Sequence, residues 1–203
     1  MASLAQQVKE LRDKTGMGPL DCKKALDQAG GDMDKAVAIL EEEKIKRGIK
    51  IQGKDRTAND GVVGNYLHHD GRLAVIVEVN CETDFVANTD QFQSFAKDVA
   101  MHIANLKPLY VKREDVPADV VEVEKKTQMD RAMEEGKPEN IAQKVVEGRM
   151  NKWYEEIVLL EQLFIKDDSK TIGALLEETV AGVGETINIA RFARFAIGEA
   201  NEE

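Results

Sequence analysis

The chain has 203 residues, is 42% hydrophobic and 33% charged, and carries a formal charge of −10, which suits one ordinary domain plus a small one and excludes a disordered chain. No apolar run approaches the roughly 20 residues that span a bilayer, and the opening "MASLAQQVKE" has neither a basic nor an apolar leader region, so a cytoplasmic protein without a membrane partner is expected. An acid excess is the opposite of the basic stripe that displaces counterions from phosphate, and it argues against direct nucleic-acid binding. The excess is uneven: residues 1–55 hold 11 basic and 10 acidic side chains, leaving 17 and 28 for the rest.

Ser3 followed by Gln6 has the spacing of a capping box, with Leu4, Val8 and Leu11 on one helical face and Thr15-Gly16 as its stop. After the loop "TGMG", Pro19 suits a first helical position, Leu20, Ala25, Leu26 and Ala29 continue an apolar face, and Gly30-Gly31 ends it. Asp32 is placed to cap a third helix with the face Met33, Ala36, Val37 and Leu40. Residues 1–45 therefore read as three small helices with one core and an exposed loop around Met17. The basic, glycine-broken stretch 46–60 reads as a linker.

From Gly61 the period changes to two. Asp70-Gly71 is a turn signal between two runs, and Leu73, Val75, Val77 and Val79 share one face of the second. A two-residue turn there pairs His69 with Arg72, Tyr66 with Val75 and Val62 with Val79. His68 and His69 are adjacent on a strand, point to opposite faces and do not suggest a metal site. Asn88 with Gln91 can cap a helix whose apolar positions run from Phe92 to Ile103, before Pro108. Further helices are expected at 118–135, at 138–156 with Ile141, Val145, Met150 and Trp153 apolar, and at 169–180. "TINIARFARFAIG" then reads as a third strand, with Ile187, Ile189, Ala193, Phe195 and Ile197 on one side and Phe192 on the other. The fold class is α+β: an N-terminal three-helix domain, then residues 61–203 as an antiparallel sheet with packed helices.

Cys22 and Cys81 stand alone, without zinc or disulfide spacing, and fit a reducing compartment. An enzymatic reading would need Cys81 as nucleophile with His102 nearby, yet no third group or activating spacing is present, and no catalytic residue, metal or cofactor is expected. The remaining puzzle is "VNCETDFVAN", where Phe85 stands at the junction of a strand and a helix. Position alone favours an aromatic tucked into the core; the alternative is a contact residue.

The stretches "LRDKTGMGPLDCKKALDQAGGDMDKAVAIL", "GVVGNYLHHDGRLAVIVEVNCETDFVAN", "GKPENIAQKVVEGRMNKWYEEIVLLEQLFIKDDSKTIGALL" and "INIARFARFAIGE" resemble the elongation factor Ts family, in this order and over nearly the whole chain. The resemblance implies a guanine-nucleotide exchange factor whose partner is elongation factor Tu. In that family the segment matching Thr83, Asp84, Phe85 and Val86 disturbs the partner's magnesium and phosphate site. The ubiquitin-associated-like N-terminal domain docks on the same G domain, which carries contact roles to Arg12, Met17 and Leu20. Leu163 stands where the family usually has proline. Longer members hold two tandem copies of the hairpin-plus-helix module; one copy here implies a homodimer, with Phe192 in the interface. A non-catalytic adaptor, binding a ubiquitin-like or other partner through its helical domain, is the alternative.

Overall fold

The computed structural model describes residues 3–53 and 56–199; Lys54 and Asp55 of the expected linker, and the acidic tail beyond Glu199, lie outside them. Helix α1 (Leu4–Thr15) opens on the Ser3–Gln6 capping box, and Gly16 closes it at φ 72, the left-handed conformation that spares glycine a steric cost. Helix α2 (Pro19–Gln28) has Pro19 in its first turn. Asp32 caps α3 (Met33–Gln52) by accepting from the amides of Asp34 and Lys35. Leu11, Met17, Cys22, Ala25, Leu26, Ala36 and Leu40 form the shared core.

Two expectations fail in this region. The stretch from 46 does not begin as a linker, because α3 continues through Gln52. Gly48, which looked like a break, is instead a contact: a Cβ there would meet the carbonyl oxygen of Glu177 at 2.1 Å. Glycine inside a helix costs about 1 kcal/mol relative to alanine, and here close backbone approach explains it. Met17 is not exposed either. The Thr15 hydroxyl donates to Leu11 O at 2.7 Å and accepts from Met17 N–H at 3.3 Å, which folds the loop back and turns the methionine into the core.

Strands β1 (Asp60–Leu67) and β2 (Leu73–Cys81) form the hairpin, and Val75, Val77, Val79 and Cys81 are buried on one face of β2. The turn differs from the expected two-residue form. Gly71 N–H reaches His68 O and His68 N–H reaches Leu73 O, both at 2.9 Å, so His69 and Asp70 are central and Gly71 takes the left-handed position. The closing pair His68–Leu73 nevertheless sits next outside the expected His69–Arg72, so the register count is kept. The two histidine rings lie 4.3 Å apart, on the turn rather than on opposite strand faces.

Helix α4 (Asp84–Ala87) is a single turn, and α5 (Asp90–Leu106) follows. Its cap is Thr89, whose hydroxyl accepts from Phe92 N–H at 3.3 Å, not Asn88. Helices α6 (Ala118–Glu134) and α7 (Glu139–Ile157) pack as a hairpin through Ala132, Ala142, Val146 and Met150. The buried stripe of α7 is thus one residue round from the expected Ile141 and Val145; Ile141 is exposed. Two short strands, β3 (Leu163–Phe164) and β4 (Asp167–Thr171), occupy the region where a helix was expected to begin at 169, and α8 (Ile172–Val183) starts after them. Strand β5 (Asn188–Ala196) pairs with β2 in the sheet order β1-β2-β5. Ile187 and Ile189 are buried, whereas Phe195 and Ile197, expected on the same side, are exposed.

The chain divides into two compact units. One comprises Met1–Gly61, Asn80–Phe95 and Leu176–Asn188; the other comprises Val62–Val79, Ala96–Leu175 and Ile189–Glu203. In the second unit, Gly64 of β1 lies against the α5 backbone, where a Cβ would come within 2.7 Å of Ala96 O. The "TDFV" turn belongs to the first unit, together with the three N-terminal helices.

Candidate functional site

Residue type decides how "TDFV" folds. Thr83 is extended, and its hydroxyl accepts from Val86 N–H at 3.4 Å, a helix cap that competes with continuing the strand. The turn is closed by Ala87 N–H to Thr83 O at 3.2 Å and Asn88 N–H to Asp84 O at 3.0 Å. The Asn88 side-chain amide adds a 2.8 Å bond to the same Asp84 oxygen. Successive helical residues are about 100° apart, so a single turn has an inner and an outer side. Val86 and Ala87 take the inner side, and Asp84 and Phe85 are left on the outer one.

Phe85 is therefore 83% exposed, and the core position that its place in the chain favoured is not where it lies. Val86, which the resemblance places in the partner-contacting segment, is buried and anchors the turn from beneath. The Cys81 thiol donates to Thr83 O at 3.2 Å, bracing the entry.

The most extensive support comes from a residue the sequence did not single out. Gly184 ends α8 in the left-handed conformation, at φ 81, and turns the chain so that Glu185 faces the loop. One carboxylate oxygen of Glu185 accepts the amides of Glu82 at 3.2 Å and Thr83 at 3.1 Å; the other accepts the Thr83 hydroxyl at 2.7 Å. Glu82 answers in the opposite direction by accepting Thr186 N–H at 2.8 Å, and Arg56 contacts both of its oxygens at 3.1 and 3.2 Å. The Thr186 amide, aided by Arg56 and opposed by partial burial, holds the Glu82 carboxyl below its ordinary range. A glycine directly after an apolar helix signals a stop, but nothing in the sequence shows which amides, a hundred residues away, the next carboxylate reaches.

The N-terminal candidates separate as well. Arg12 is exposed, 3.7 Å from Asp13, and Leu20 is 76% exposed on the first turn of α2. Met17, between them in the chain, lies in the core. Phe192, in the second unit, is half-buried in a shallow depression of about 240 Å³ lined by Val63, Ile76, Glu78 and Arg191.

Neither half of the enzymatic alternative is poised for chemistry. Burial pushes the Cys81 thiol up, away from the thiolate, and the Glu185 charge adds to this. Both ring nitrogens of buried His102 are engaged: Nε2 with Gln162 Oε1 at 3.0 Å, and Nδ1 accepting Ile165 N–H at 3.3 Å. Among the described residues, no group of three or more His, Cys, Asp or Glu could hold a metal, and no helix is long and apolar enough to cross a membrane. What the fold presents is an exposed aromatic on a braced turn, in a two-unit α+β protein.

Comparison with known proteins gives that arrangement a family. The family model described as "Elongation factor TS" matches residues 4–199. Elongation factor Ts of Carboxydothermus hydrogenoformans is 53% identical over 195 residues, 96% of this chain and 89% of the relative. That of Geobacter metallireducens is 52% identical over 98% of this chain and 91% of its own length. That of Acetivibrio thermocellus is 54% identical over 96% and 90%. The chain belongs to the elongation factor Ts family and is a translation elongation factor.

Proposed function

We propose that the protein is a guanine-nucleotide exchange factor for elongation factor Tu, acting in the cytoplasm without chemistry of its own. The observation that carries the reading is the exposure of Phe85 on a turn braced from beneath. A G domain holds GDP through backbone amides, a lysine and magnesium, and release is slow because many charge-assisted contacts are lost together. An exchange factor binds the conformation in which those contacts are weakened, and its differential affinity sets how far the equilibrium moves.

In this reading Phe85 enters a pocket of the partner and displaces the elements that position magnesium. Asp84 beside it meets a donor or the positive end of a partner helix. Thr83 and Val86 hold the turn in shape, Thr83 from its cap and Val86 from the core. The three-helix region 1–45 docks through Arg12 and Leu20, with Met17 fixing the loop between them. Residues 61–203 supply the exchange turn and a homodimer interface that includes Phe192. The apolar side chains Val63, Leu67, Ile76 and Phe195, all exposed, are the surface a second copy would cover.

A catalyst of exchange accelerates both directions alike. Trace amounts of the protein should speed release of both GDP and GTP from elongation factor Tu and leave their final occupancy unchanged. An altered final occupancy, or unaltered rates, would remove the reading and leave an adaptor in its place.

A further inference from the structure

Val86 and Ala87 anchor the Phe85 turn from beneath, but Asp84 and Phe85 are exposed, so the shape of its outer side and its entry depends on hydrogen bonds. A single turn of helix is unstable alone, because nucleation fixes several dihedrals for one bond. Its cap depends in turn on which way the Thr83 hydroxyl points. A hydroxyl has one proton and two lone pairs, and only with the proton turned away can it accept from Val86 N–H. The hydroxyl donates it to Glu185 Oε1, 2.7 Å away. The same carboxylate gathers the amides of Glu82 and Thr83, which the strand no longer pairs.

Glu185 is itself held. Glu82 accepts the amide of the next residue, Thr186, at 2.8 Å. The Gln52 side chain then grips Ile187 twice, accepting its N–H at 3.2 Å and donating to its carbonyl at 2.5 Å. The Thr186 hydroxyl reaches Ile51 O at 3.5 Å. Residues 185–187 thus form a junction bonded to the end of α3 on one side and to the entry of the Phe85 turn on the other, all within one compact unit.

We propose that Glu185 is a positioning residue for nucleotide exchange: it fixes the donor direction of the Thr83 hydroxyl and the entry amides, and so sets the direction in which Phe85 projects. The proposal rests on the exchange reading above. It separates binding from release. Docking through Arg12 and Leu20 does not involve Glu185, so its loss acts on the maximal release rate in the saturated complex and not on the concentration needed for saturation.

The test uses the full chain and two readouts. In the free protein, amide hydrogen exchange across residues 82–87 reports the turn whether or not the protein acts on elongation factor Tu. With the partner, GDP release is followed over rising factor concentration. Glu185→Ala should raise amide exchange at 82–87 at least about tenfold, equivalent to about 1.4 kcal/mol. It should lower the maximal release rate by a similar factor and leave the half-saturating concentration within about twofold. Glu185→Gln keeps one oxygen for the two amides but turns an NH2 donor toward the Thr83 hydroxyl, so it should recover only part of the loss.

Thr83→Val removes the hydroxyl with little change in volume and should reproduce the slower release, which keeps the test available if Glu185→Ala does not fold. Unchanged amide protection in Glu185→Ala would overturn the proposal, as would lost protection with an unchanged maximal rate, or a loss of protection spread evenly over the chain. If the unmodified protein released no GDP, the exchange reading would fail by itself, while the amide measurement would still decide whether Glu185 shapes the turn.

Discussion

Phe85→Ala separates folding from function more cleanly than any other substitution. A phenylalanine buries roughly 200 Å² when fully enclosed. Phe85 is 83% exposed, so the burial lost is on the order of 35 Å², worth under about 1 kcal/mol at 25 cal/mol per Å². Alanine returns about 0.5 kcal/mol through its better helix propensity, so net stability should change by about 0.5 kcal/mol or less. A core phenylalanine would cost roughly 3 to 5 kcal/mol instead. In the complex the expectation reverses. An aromatic that fills a partner pocket is an interface hot spot, and truncation costs about 2 kcal/mol or more, about thirtyfold in exchange efficiency. A thermal melt and a GDP-release rate on the same preparation read both quantities. A large fall in melting temperature, with exchange intact in the folded fraction, would refute the reasoning.

Asp84→Asn keeps the shape of the turn and removes the charge, so it should reduce exchange in the same assay by less than Phe85→Ala; an equal or larger loss would shift the main contact to Asp84. Phe192→Asp should weaken the dimer, and light scattering should move from about twice 22.6 kDa toward that monomer mass; an unmodified protein that is monomeric at high concentration, with full exchange activity, would contradict the dimer. Gly48→Ala gains about 1 kcal/mol of helix propensity but places a methyl 2.1 Å from Glu177 O, and overpacking of roughly 1 to 3 kcal/mol should lower the melting temperature; a rise would show that the two backbones separate freely. Burial lowers the His102 pKa below 6.5, with the Gln162 hydrogen bond opposing, so the unfolded chain takes up the proton first. The His102 contribution is complete above about 6.5 and is lost as pH falls through the lowered folded value. His102→Gln should accordingly flatten the change in melting temperature between pH 7.5 and 5.5, and an equal slope in both proteins would count against it.

The local signals that proved readable were those confined to a few neighbouring residues. The Ser3 and Asp32 caps, Pro19 and the Val75–Val79 alternation all act over one turn or one strand, and each formed as expected. What failed had no such periodic or capping signal. Gly48 resembled a break because its reason, the Glu177 backbone, is far along the chain. Met17 reads as exposed because a loop's inward turn rests on one threonine hydroxyl. The β3–β4 pair was invisible because "LFIKDDSKT" is too short and too polar to show a period. The site divided in the same way. "TDFV" was legible as a motif, but the exposure of Phe85 follows from Val86 and Ala87 claiming the inner side, and Glu185 enters only through three-dimensional proximity.

On the proposed reading this protein opens the nucleotide site of elongation factor Tu. Stopped-flow release of fluorescent GDP from elongation factor Tu, at rising concentrations of the unmodified protein, tests it most directly. The release rate should climb and saturate. A rate that stays at its spontaneous value while the two proteins demonstrably bind would contradict it.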